Sequence, residues 1–131
     1  MRQNNQVRIR FSEISGNQAD RMRFFALLNL GIAQSLASGV ISAAEAVRLF
    51  YHAENCLYVR EHFRNSEADA IMSHGVQLPD IFESVPAEEA SREFFHELEK
   101  IRSLCMSLLA MQSQSMVNSK IRQHKSAGLE N

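Results

Sequence analysis

A glutamate and a histidine stand three residues apart at Glu93 and His96. On a helix this Glu-x-x-His spacing places both side chains on one face, as in bundles that hold two metal ions between carboxylates. Such a site takes two of these motifs and two further glutamates, whereas this chain has one motif. A symmetric dimer would have to supply the second, with Glu54 and Glu61 as the remaining candidate ligands. We favour the alternative of solvent-exposed side chains on an amphipathic helix, and we predict no cofactor.

No residue pattern in the chain indicates an enzyme. His52 and Cys56 lie one helical turn apart, but a zinc site normally takes four ligands. Cys56 and Cys105 both fall within helical patterns, so we interpret them as buried free thiols. The sequence contains neither a Gly-x-Ser-x-Gly motif nor a glycine-rich phosphate loop. We therefore predict no catalytic residue and no enzymatic activity.

Composition argues against a general nucleic-acid-binding protein. The 131 residues have a formal net charge of −1, whereas nucleic-acid-binding domains are usually basic. A turn over 39–41 between two predicted helices would suit a helix-turn-helix. Its second helix, however, would begin with Ala43, Ala44 and Glu45, where a groove-reading helix carries polar or basic side chains. We therefore do not prefer a DNA-binding regulator and keep it as an alternative function.

Helix start and stop signals determine which elements position these residues. An apolar run over 24–36 is followed by Gly39, and Ser42 with Glu45 three residues later forms a capping-box pattern. Glycines and prolines further along the chain indicate the other boundaries. The predicted helices span, in order, 18–38, 43–64, 66–75, one helical turn at 78–82, and 86–114.

The predicted fold class is all-α, an orthogonal or up-down bundle of four main helices plus one short helical turn. The last helix carries apolar residues at alternating spacings of four and three, which indicates lengthwise packing. These residues are Phe94, Leu98, Ile101, Cys105 and Leu108. We predict a single helical domain over 1–114, in which 1–6 are flexible, and a polar, disordered tail over 115–131.

A short N-terminal strand is also possible. Val7, Ile9 and Phe11 alternate with Arg8 and Arg10, which is the period of a strand. A single strand leaves its backbone groups unpaired, so it would have to pair with a second copy or a partner chain. An extended arm or a first helical turn is the alternative.

The first predicted helix, 18–38, is apolar around nearly its whole circumference. Such a helix is buried on all sides, and a domain this small has too few other helices to cover it. We therefore predict a homodimer through helices 18–38 and 86–114. Gly31 in mid-helix costs about 1 kcal/mol relative to Ala. A close helix crossing would explain this glycine, and a packing accident is the alternative.

An unidentified protein partner is a further possibility, and two surfaces could bind it. One is the acidic face of the last helix, and the other is the segment around 75–82. The apolar side chains of that segment could equally be a lid on the core, which we favour. Its candidate interaction residues are Val76, Gln77, Leu78, Asp80, Ile81 and Phe82.

The chain carries no signal for membrane insertion. Its longest apolar stretch contains Asn29, Gln34 and Ser35 and is too short to span a bilayer, and no apolar run follows the N-terminus. We predict a cytoplasmic protein without membrane contact. Taken together, these features predict a non-enzymatic dimeric interaction or regulatory module. The alternatives are the helix-turn-helix regulator and the metal-binding bundle.

Two segments resemble a family of short, functionally uncharacterised bacterial proteins. The first is Leu-Gly-Ile at 30–32 with the helix break Gly-Val-Ile-Ser at 39–42. The second is Gly-Val-Gln-Leu-Pro-Asp-Ile at 75–81. The resemblance spans about residues 7–110 and implies a bacterial source and an all-helical domain. It implies no activity and no functional residues.

Overall fold

The computed structural model of the protein describes the backbone of residues 7–129 and the side chains of residues 7–114. The predicted flexibility of residues 1–6 falls outside the described range. Within that range the chain is helical and contains no strand, which confirms the all-α class. A 3₁₀ turn at Phe11–Glu13 and a π-helical turn at Val59–Phe63 accompany five α-helices. The α-helices are α1 Gln18–Ala37, α2 Ala43–Leu49, α3 Ala53–Tyr58, α4 Ser66–Ser84 and α5 Ala87–Leu129.

The junction between α1 and α2 forms as its residue types predict. Gly39 follows α1 with φ of 74°, a left-handed conformation that glycine adopts without a Cβ clash. The Ser42 hydroxyl accepts a hydrogen bond from the Glu45 N–H at 3.1 Å, and the Glu45 carboxylate accepts one from the Ser42 N–H at 2.9 Å. Both bonds of a capping box are therefore present.

The prediction of one helix over 43–64 is wrong. α2 ends at Leu49, and α3 starts after His52, whose ring accepts a hydrogen bond from the Asn55 N–H at 3.4 Å. Phe50 and Tyr51 are both buried. Both rings lie in the segment between α2 and α3, which places them in the core.

The separate helical turn predicted at 78–82 is part of α4, and so that prediction is wrong. Gly75 does not end the helix but lies within it, and Pro79 is accommodated further along. A Cβ added to Gly75 would lie 2.5 Å from Cγ of Tyr51. This glycine is present because the Tyr51 ring packs directly against the α4 backbone, not because the helix stops.

The predicted strand at 7–11 is also wrong, and the extended-arm alternative holds over residues 7–10. The Ile9 N–H donates to the Leu49 carbonyl at 2.9 Å. The Ile9 carbonyl accepts from Nδ2 of Asn55 at 2.9 Å. The carbonyl at the C-terminal end of α2 and a side chain thus satisfy the backbone groups that would otherwise need a neighbouring strand.

The hydrophobic core lies where α1 and α4 pack against α5. The predicted seam of α5 is buried throughout, from Phe94 to Leu108. α4 and α5 run antiparallel, since a short connection joins them and the Phe82 and Phe94 rings lie 5.1 Å apart. The α5 backbone continues to Leu129, while the domain limit at 114 and the disorder of 115–131 stay predictions.

Phe11, at the end of the arm, completes one edge of this core. Its side chain is fully buried, and five aromatic rings have centroids within 6.0 Å of its own. Those rings belong to Phe24, Phe25, Phe50, Tyr58 and Phe63. The arm is therefore part of the packed structure.

We expect Phe11→Ala to lower the free energy of unfolding by about 3–5 kcal/mol, because it leaves a cavity among five rings. Urea unfolding followed by circular dichroism measures this change. Val7→Ala removes an exposed side chain of the same arm and should stay within about 0.5 kcal/mol of the native protein. A loss below about 1 kcal/mol for Phe11→Ala would contradict the packing described here.

Candidate functional site

Asn55 and His52 form a buried polar network that fixes the arm. The Asn55 side chain accepts from the Phe11 N–H at 2.9 Å and donates to the Phe50 carbonyl at 2.8 Å. His52 Nε2 donates to the Ile9 carbonyl at 2.9 Å, and Nδ1 accepts from Arg8 at 3.3 Å. These polar groups are occupied by their own chain, so the network is structural.

The two cysteines do not form a reactive centre. Burial raises the pKa of the half-buried Cys56 thiol and raises the pKa of the buried Cys105 thiol to about 12. Both groups are thiols at neutral pH, and the thiolate is the nucleophile and metal ligand. Both cysteines are free as expected, but the expectation of burial holds for Cys105 and not for Cys56, which is only partly buried.

A second buried polar pair joins α1 to the α2–α3 junction. The Tyr51 hydroxyl donates to Oδ1 of Asn29 at 2.7 Å, and Nδ2 of Asn29 donates to the Phe25 carbonyl at 2.9 Å. Burial raises the pKa of Tyr51, with the nearby Cys105 adding to the shift, so the phenol stays neutral. This pair anchors the fold.

A surface cleft with a volume of about 450 Å³ lies between α4 and α5. It brings together three predicted interaction residues, Gln77, Asp80 and Ile81, and one predicted metal ligand, Glu93. The remaining predicted interaction residues lie elsewhere on α4. Leu78 is fully buried, as a core lid would be, whereas Val76 and Phe82 are exposed.

Glu97, which lines this cleft, belongs to an ion-pair cluster. The Glu97 carboxylate contacts His74 Nδ1 at 2.6 Å and Lys100 Nζ at 3.0 Å. Partial burial acts to raise the pKa of Glu97, but hydrogen bonds and charge from Lys100 and His74 outweigh it, so the pKa is lowered. Sequence reasoning missed this pairing because His74 and Glu97 are 23 residues apart and no spacing rule links them.

The four predicted metal ligands do not meet within one chain. Glu93 lines the α4–α5 cleft, whereas His96 is exposed beside Phe95 in a different, shallow depression. Glu54 pairs with Arg10 at 3.7 Å, and Glu61 is exposed on the π-helical turn. In the part of the chain that the structure describes, no group of three or more His, Cys, Asp or Glu residues is arranged to hold a metal ion.

The described part of the chain does not cover all of α1. Phe24 and Leu27 are 42% and 45% exposed, although the opposite side of the helix is in the core. Gly31 is exposed on the same face, and no described residue outside its own helical turns lies within 4 Å of a Cβ added to it. Residues 24–44 contain no charged side chain. We call the stripe formed by Phe24, Leu27, Gly31, Gln34 and Ser38 the uncharged face of α1.

Comparison with known proteins gives one match. A family model described as "Protein of unknown function (DUF3969)" matches residues 16–123. No curated protein and no solved structure matches the chain. The match agrees with the expected resemblance to an uncharacterised family, while the bacterial source stays a prediction. Within the described part of the chain, no helix is both long and apolar enough to cross a membrane.

The lowered pKa of Glu97 predicts acid sensitivity. Since this pKa lies below its ordinary value of 4.5, the contribution of Glu97 to stability is present above about pH 4.5 and is lost as pH falls through the folded-state pKa. Thermal unfolding between pH 6 and pH 3 should therefore show a smaller loss of Tm for Glu97→Gln than for the native protein. Glu99→Gln, on the exposed side of α5, should keep the native slope. Equal slopes for all three proteins would contradict the assignment.

Proposed function

The chain belongs to the DUF3969 family of unknown function, and from its own geometry we propose that it is a non-enzymatic interaction module that works as a homodimer. The observation that carries the proposal is the uncharged face of α1. A water-exposed helix face ordinarily carries charged side chains, and the core of a protein interface is depleted of them. This face suits burial against another molecule.

The outward face of α5 gives weaker support to the dimer. Phe95 and Met106 are exposed there, in agreement with the expected second contact over 86–114. Between them, however, Glu99 and Arg102 form an ion pair at 3.6 Å. Since charged groups cost free energy when they lose water, we assign the main contact to α1 and a peripheral one to α5.

The polar interior supports the non-enzymatic part of the proposal. Asn29, Tyr51, His52 and Asn55 bond to groups of their own chain, and both thiols have raised pKa values. The hydrogen bonds of these side chains stabilise the fold. The α4 residues around the cleft stay a predicted surface for an unidentified protein partner.

The helix-turn-helix alternative has less support in the geometry. α2, which would read the groove, is seven residues long, and the Glu45 carboxylate at its start is used to cap the helix. Its exposed side chains are Ala44, Glu45 and Arg48. This face offers one basic group where a DNA-reading helix presents several polar or basic ones.

We expect the native protein to have a mass near twice 14.9 kDa in sedimentation equilibrium at micromolar concentrations. Leu27→Lys should shift it to single chains, because the dimer would bury two like charges without partners. Val76→Lys is the matched control, since Val76 is an equally exposed apolar residue on α4. It should leave the mass unchanged. A native mass of one chain at 200 µM would overturn the proposal.

A further inference from the structure

The position and surroundings of Gly31 deepen this proposal. Its φ is that of an ordinary helical residue, since the described glycines with positive φ are Gly16 and Gly39. Among the described residues, a Cβ at Gly31 would meet no atom within 4 Å apart from the backbone of its own helical turns, unlike one at Gly75, where the Tyr51 ring fills the space. Neither backbone conformation nor packing within the chain requires a glycine here, although it costs about 1 kcal/mol relative to Ala.

Gly31 also lies at the centre of the uncharged face. Phe24 and Ser38 stand at its two ends, each seven residues from Gly31, while Leu27 and Gln34 lie one turn to either side. All of these residues are exposed. In a dimer with two-fold symmetry the same patch of both copies meets, and the residue at its centre lies closest to the axis. A central residue without a side chain allows two helix backbones to approach closely.

We infer that, in the proposed dimer, the α1 helices of two copies cross at Gly31. This inference rests on the proposed function and specifies its interface. A second copy of the chain is the occupant because its face is uncharged over the same length, so neither copy leaves a charge buried without a partner. Arg23 and Glu45 are the first charged residues beyond the two ends of this uncharged run.

The small size of the face explains why close approach matters. From Phe24 to Ser38 the helix rises only about 21 Å. A standard interface is larger and buries about 800 Å² per partner. Contact at Gly31 brings both ends of the stripe into the interface, whereas a bulky central residue would hold them apart. We therefore expect a dissociation constant in the micromolar range.

Substitution of Gly31 separates the dimer from the folded monomer. Gly31→Leu should raise the dissociation constant at least tenfold in sedimentation equilibrium. Because the space around Gly31 is open and leucine is a good helix former, the diluted variant should keep or increase the native Tm. Ser73→Leu, an exposed position on α4, is the matched control and should leave dissociation unchanged.

A disulfide provides a second, independent measurement. Gly31→Cys should form a covalent dimer on mild oxidation, because a disulfide needs Cα atoms about 4.4–6.8 Å apart. Ser73→Cys should form no covalent dimer under the same conditions. A native dimer with a Gly31→Leu dissociation constant within twofold of the native value, and no Gly31→Cys cross-link, would overturn the crossing while leaving the dimer standing. A monomeric native protein would overturn both.

Discussion

The burial of Tyr51 is the constraint on which most of the fold depends. Its hydroxyl donates to Asn29 of α1, and its ring lies against Gly75 of α4. A phenol taken out of water needs a hydrogen-bond partner, and Asn29 supplies it. Tyr51 also lies in the segment between α2 and α3, next to the buried Phe50. One side chain thus accounts for an asparagine and a glycine that lie far apart in the sequence.

Local signals predicted the parts of this fold that local chemistry controls. Gly39 and the capping box of Ser42 follow from residue types within a few positions, and the α5 seam follows from its spacing. The wrong prediction that a helix ends at Gly75 has a different cause. Gly39 and Gly75 look alike as stop signals, but only Gly39 has a left-handed φ, whereas Gly75 responds to a ring 24 positions away along the chain. Contacts of that range are set by packing, which the sequence pattern does not express.

The candidate surfaces divide in the same way. The sequence allowed Gln77, Asp80 and Ile81 to be chosen as candidate interaction residues, because the segment that contains them mixes polar and apolar side chains. Their meeting with Glu93 across a cleft depends on how α4 is rotated and shifted against α5. The first helix is a further example. Its apolar circumference predicted burial on all sides, and the structure buries one side while leaving Phe24 and Leu27 exposed. An amphipathic pattern would have predicted the covered side, but here the exposed side is uncharged and includes two large apolar residues.

The seating of Phe11 bears on where this folding unit begins. The family match starts at residue 16, beyond the arm, yet Phe11 fills the space between five rings and its N–H is bonded to Asn55. A recombinant fragment that begins at the family boundary would expose those rings to water. It would also leave the side-chain oxygen Oδ1 of Asn55 without its hydrogen-bond donor. The family match and the folded unit therefore begin at different residues in this protein. An expression fragment that is to fold has to include Phe11.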